Sequence, residues 1–215
     1  MSSLTNFVLG ALIARSVSAE DFGVFGIAFT TYVTVLGVSR AIATEPFVVR
    51  YPGASVAELD RGMRAATGTA LAVGAVVGTL IAVAGTAIGG TLGGAIVILG
   101  VLLPGLLLQD CWRFVFFARR MGASAFLNDL MWALVLIPAV LLAVSSGHDT
   151  IGWLLGAWGG AAAVAAVLGL AQSHAVPRPQ DALRWMREER DLVAPFFAEL
   201  AVRSAVGLLR TYGIG

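Results

Sequence analysis

The chain has 215 residues, of which 58% are hydrophobic and 13% charged, with a formal net charge of +1 and a mean hydropathy of +0.88. Soluble domains carry about 25% charged residues, and a single core of this size has no room for so much apolar side chain, so a soluble globule is excluded and a polytopic membrane protein is indicated. The near-neutral charge leaves no footprint for nucleic acid, and the single cysteine, Cys111, excludes an internal disulfide and suits a small buried hydrophobe in its apolar run.

The first predicted helix covers residues 4–17. It is shorter than the roughly 20 residues that cross a bilayer, so it is either tilted and partial or the chain begins late. A signal peptide competes, because Val17-Ser18-Ala19 resembles a small-residue cleavage site. No basic segment precedes the apolar stretch, however, and Arg15 interrupts its end. Five longer apolar runs follow, over residues 22–43, 63–88, 92–117, 123–144 and 151–172. A polar segment, VPRPQDALRWMREERD, then opens on two prolines, and Asp181 is placed to cap a short helix. Its Leu183, Trp185 and Met186 fit an amphipathic linker on the membrane surface, with a solvated loop as the alternative. A seventh apolar helix begins near Pro195.

The arginines orient these runs. Arg50, Arg61 and Arg64 follow the second run, Arg119 and Arg120 the fourth, and Arg178, Arg184, Arg187 and Arg190 the sixth. The connections GTAIGGTLGG and SSGHDT carry none, and the first connection has only Arg15 at its edge. The positive-inside rule then makes the even-numbered connections and the N-terminus cytoplasmic. The fold class expected is therefore all-α: a polytopic membrane helix bundle of six transmembrane helices and the start of a seventh. Residues 1–175 form the membrane lobe, 176–194 a cytoplasmic linker, and 195–215 the incomplete start of a second lobe. Glycines recur four apart at Gly74/Gly78, Gly85/Gly89 and Gly152/Gly156/Gly160, a spacing that lets helix backbones approach closely or slide.

Charges inside the apolar runs are the candidate functional groups. In LLLQDCWRFVFFARR, Asp110 and Arg113 are three apart and share a helix face. Asn128 and Asp129 lie at a similar depth on the next run, so Asp110, Arg113 and Asp129 are expected to meet. That meeting reads either as a structural clasp or as the polar wall of an inner cavity, since a lone charge at this depth is costly. Arg40 either snorkels to headgroups or faces the cavity. Glu199 and Arg203 are four apart on the seventh helix, and Arg210 lies two turns further on, lining a cavity or paired with another part of the protein. No Walker loop, dinucleotide fingerprint, H-E-x-x-H or C-x-x-C is present in the sequence, and His148 and His174 fall near opposite membrane faces. No enzyme activity, cofactor or metal is expected.

The opening TNFVLGALIARSVSAEDFGVFGIAFTTYVTVLGVSRAIATEPFVV resembles the polysaccharide-exporter branch of the multidrug/oligosaccharidyl-lipid/polysaccharide exporter superfamily. The likeness rests on Arg15, Glu20, Asp21, Phe22, Gly23 and Phe25. LQDCWRFVFFARRMGASAFLNDLMWAL also looks like membrane proteins of polysaccharide-synthesis loci in high-GC bacteria. The resemblance implies one lobe of a two-lobe, MATE-like transporter in the bacterial inner membrane. Such transporters rock between inward- and outward-facing states and handle lipid-linked sugars. The chain departs from that pattern in holding one lobe and the start of a second, which reads as a truncated exporter, and transport is expected only with a second lobe or another copy. The substrate implied is an undecaprenyl-pyrophosphate-linked oligosaccharide, with membrane lipids as surroundings and no nucleic acid as partner. Arg40, Arg113 and Arg210 are the candidates for its anionic headgroup; Asp110, Asp129, Glu199 and Arg203 are candidates for ion pairing or coupling. The alternatives are a multidrug or organic-cation antiporter of the same fold, which needs cavity carboxylates and aromatics, and a non-transporting assembly partner of membrane glycosyltransferases.

Overall fold

A computed structural model describes residues 2–148 and 150–211, and the side chains of these except 2–6, 8, 204 and 207–211. The described residues form helices α1 (Ser2–Ser16), α2 (Ala19–Ser39), α3 (Glu45–Arg50), α4 (Val56–Ile88), α5 (Gly90–Ala118), α6 (Gly122–Ser145), α7 (Ile151–Ser173), α8 (Ala182–Glu188) and α9 (Arg190–Thr211), with no strand among them. A π-helical turn, Arg40–Thr44, joins α2 to α3, and a short 3₁₀ turn, Pro179–Asp181, precedes α8. Among the described residues, five helices are long and apolar enough to cross a membrane: the continuous α2–α3 rod, α4, α5, α6 and α7. The chain therefore reads as a multi-pass membrane protein. α1 has 15 residues and α9 carries Asp191, Glu199 and Arg203, so neither stands among these five.

Two boundaries differ from the expected ones for identifiable reasons. The second run continues past residue 43 to Arg50 because the π turn carries the helix through Pro46 rather than ending it. α4 begins seven residues before the apolar run, at Val56, because Ser55 and Glu58 form a capping box. The Ser55 hydroxyl accepts the Glu58 N–H at 3.4 Å, and the Glu58 carboxylate accepts the Ser55 N–H at 3.0 Å. Polar capping extends a helix beyond what hydropathy reveals.

α4 and α5 form an antiparallel hairpin, the most extensive helix pair in the structure. Its seam is glycine on glycine. A Cβ built on Gly78 would lie 2.3 Å from the Gly100 carbonyl oxygen, and one on Gly93 would lie 2.5 Å from the Gly85 oxygen. Gly74 meets the backbone of Pro104 in the same way. In α7 the close approaches fall at Gly159, against Leu102, and Gly169, against Trp112. Gly156 and Gly160 face open space, so the four-residue spacing there does not mark a packing seam.

α5 is the central helix and packs on α2, α4, α6 and α7. Two apolar clusters share it. One, around Leu99, Leu103, Leu107, Trp132 and Trp158, fills the middle and the end remote from the arginines. Here the Tyr32 and Trp158 rings meet edge to face at 4.8 Å. The other, around Phe47, Met63, Trp112, Phe116 and Trp185, fills the arginine-rich end and holds the buried Cys111 thiol.

Candidate functional site

Arg40, Asp110 and Arg113 meet where α2 passes into the π turn beside α5. Asp110 sits on the buried stripe of α5, with 5% of its side chain exposed. Arg40 opens the π turn and grips it in a fork: Nε donates to Oδ2 at 2.8 Å and Nη2 to Oδ1 at 2.7 Å. Arg113, one turn along α5, donates to the same Oδ1. Both guanidiniums lie over the Phe114 ring, each 5.1 Å from its centre. A bidentate arginine–carboxylate pair is a strong, geometrically specific contact. The ring adds attraction for two cations that would otherwise repel.

The expected Asp110–Arg113 pair is thus present, and it has a third member. Arg40 neither merely snorkels nor lines a cavity alone; it ties α2 to α5 across 70 residues of sequence. Its exposure separates it from Arg113: 32% of the Arg40 side chain is open against 12% for Arg113. The open face of Arg40 looks into two crevices beside α9. One, about 260 Å³, runs past Thr44, Glu45, Phe114 and Phe196; the other, about 100 Å³, past Glu45, Glu199 and Arg203. Glu199 and Arg203 form the expected ion pair on α9, which packs close to α2 where Gly37 leaves room for Leu200. The side chain of Arg210 lies outside the described residues.

Asp129 lies on α6 and takes the Gln109 amide at 3.3 Å. The same amide reaches Asn128 at 3.4 Å, and the Asn128 amide donates to the Ala165 carbonyl of α7 at 2.6 Å. Gln109 and Asn128 therefore stitch α5, α6 and α7 at the level of Asp110. Gln109 and Glu45 are the groups that sequence reasoning passed over. Gln109 directly precedes Asp110 and shares its depth, and that adjacency was its only signal.

The polar segment after α7 is neither laid on a membrane surface through Trp185 nor solvated along its length. Its backbone crosses α4 at Gly68, where Arg178 N–H donates to the Arg64 carbonyl at 2.9 Å and a Cβ would lie 2.3 Å from the Arg178 backbone. Trp185 is buried, and its indole N–H donates to the Ile42 carbonyl inside the π turn at 2.9 Å. Its ring stacks on Tyr51, which stacks on Phe47. Arg50 pairs with Glu189 at 3.0 Å and with Asp191. Burial pushes the Glu189 carboxyl above the ordinary range, against the pull of Arg50 and of the Tyr51 hydroxyl. Burial, helped by the Glu189 carboxylate, pushes Tyr51 up to about 12, so its hydroxyl remains a donor to Glu189 at 3.3 Å.

No family model, curated protein or solved structure matches the chain.

Proposed function

We propose that the chain is a transport lobe that moves a lipid-linked oligosaccharide, of the undecaprenyl-pyrophosphate kind, across the bacterial cytoplasmic membrane. The observation that carries the reading is Arg40: a permanently charged guanidinium, held in place by a buried carboxylate, with about a third of its side chain open to a crevice. Arginine binds pyrophosphate by charge and by paired donors and does not deprotonate. The resemblance of residues 5–49 and 108–134 supplies the substrate class. In this reading α1 completes a six-helix, MATE-like lobe, α9 begins the second, and the arginine-rich end and the N-terminus lie in the cytoplasm. Pairing with a second lobe or another copy of the chain belongs to the same proposal.

A strain lacking the gene tests it. Lipid-linked oligosaccharide is expected to accumulate on the inner leaflet while surface polysaccharide falls, and Arg40→Gln should fail to restore export. Unchanged surface polysaccharide without accumulation overturns the reading.

One observation favours a second reading, an organic-cation antiporter. The crevice beside Arg40 is also lined by Glu45, Phe114 and Phe196, a carboxylate-and-aromatic setting that suits a cation. Against it, Asp110 is closed between two guanidiniums. Glu45→Gln abolishing efflux of organic cations, with polysaccharide export intact, would decide for the antiporter.

A further inference from the structure

Ile42 lies two residues beyond Arg40, within the same π turn. Four residues further on stands Pro46, which has no N–H to return to the Ile42 carbonyl. The missing donor arrives from a distant part of the chain, as the indole N–H of Trp185 on α8. α8 is also tied to the end of α3 beside that contact, through the Tyr51 ring stacked on Trp185 and through Arg50 with Glu189. Gly62 of α4 leaves room for the Tyr51 ring, where a Cβ would lie 2.4 Å from it. The linker therefore docks at the break in α2, two residues from the arginine that grips Asp110.

A π turn inserts one extra residue into a helix, which offsets the faces on its two sides by about 100° at 3.6 residues per turn. With α3 held by α8 and α4, collapse of the π turn to regular helix would rotate the end of α2, and the rotation would carry Arg40 away from Asp110. We propose that Trp185 is a positioning residue for Arg40: docking of α8 supplies the donor that holds the π register, and that register sets the guanidinium on Asp110. Undocking of the linker and release of Arg40 are then one event. The functional meaning rests on the reading of Arg40 as the headgroup-facing cation; the coupling itself does not.

The test uses the full chain in lipid nanodiscs. Trp185→Phe keeps the ring and removes the N–H. Hydrogen exchange at the amides of residues 41–45 is expected to rise about fivefold, the effect of one net hydrogen bond. In that background Asp110→Asn should lower Tm by less than it does alone, because the pair it breaks is already loosened; a merely structural tryptophan would give additive losses. Pro46→Ala returns a backbone donor to Ile42, so the double variant Pro46→Ala/Trp185→Phe is expected to fold and to exchange as slowly as the parent. Unchanged exchange in Trp185→Phe, additive Tm losses, or a double variant that exchanges as fast as Trp185→Phe overturns the inference. Neither readout measures export, so its failure is distinct from failure of the exporter reading.

Discussion

The two ends of the bundle are held by different physics. At the end remote from the arginines, α4 and α5 meet through glycine, and contact is set by how closely two backbones can approach. At the arginine-rich end, helices are joined by directed bonds: Arg40 to Asp110, Trp185 to Ile42, Arg50 to Glu189, Arg178 to Arg64. Lipid offers no hydrophobic drive for helix association, so either close packing or interhelical hydrogen bonds must supply it. The first gives a seam with no titratable or exchangeable part. The second gives contacts that can be broken and remade singly, and these surround the one break in the α2–α3 rod.

The contrast can be broken from either side. The largest effect is expected for Asp110→Asn, which leaves two guanidiniums facing an amide. Removing one member of a buried ion pair costs about 3–5 kcal/mol, read as lost Tm and lower abundance in the membrane. Normal abundance with lost export would show instead that Asp110 serves transport rather than assembly. Next is Gly78→Val, which drives a branched side chain into the Gly100 carbonyl; overpacking costs about 1–3 kcal/mol. It should lower Tm while leaving hydrogen exchange at residues 41–45 unchanged, because the seam and the π turn are held independently. Faster exchange at both sites would mean that the two ends form one cooperative unit.

Asn128→Ala sharpens the comparison by removing one directed bond without a charge. The Ala165 carbonyl keeps its place in the α7 ladder and loses the Asn128 amide as a second donor, at a cost of about 1 kcal/mol, measurable as a Tm shift well below that of Asp110→Asn. The smallest effect is expected for Glu189→Gln. Because the folded protein holds this proton more tightly than the free side chain, Glu189 favours the docked linker at low pH, and that contribution is lost as pH rises through its raised value. Glu189→Gln should therefore leave Tm unchanged or slightly higher at pH 7 and flatten the Tm profile between pH 4 and 7. A marked loss at pH 7 would show that its pairing with Arg50 outweighs burial.

What the sequence could reveal divides along similar lines. The five long helices were legible because each is a run of apolar residues bounded by glycine or charge. The Asp110–Arg113 and Glu199–Arg203 pairs were legible because helical spacing of three or four puts side chains on one face. The Arg40–Asp110 fork was not, since no local rule joins residues 70 apart. The second run read as ending at residue 43, and only the structure shows the π turn that carries the helix on through Pro46. Leu183, Trp185 and Met186 read as an amphipathic linker on the membrane surface or as part of a solvated loop; the partner of Trp185, a carbonyl freed by a proline 139 residues earlier, has no signature in the linker itself. The spacing of Gly156 and Gly160 matched a packing motif yet meets nothing, since the neighbouring helix crosses α7 at Gly159.

The turn between α4 and α5 is a single residue, Gly89, followed by Gly90, both with positive φ at 70° and 60°. Gly89 is in a region of backbone space that side-chain-bearing residues essentially do not enter. A joint this short stores no slack. The two helices it unites, 33 and 29 residues long, cannot slide far past each other at that end, and the backbone contacts at Gly74, Gly78 and Gly93 hold them together beyond it, so they act as one stiff two-pronged beam. Whatever compliance the bundle has must reside elsewhere, and α2, interrupted beside that beam, is the member able to flex against it.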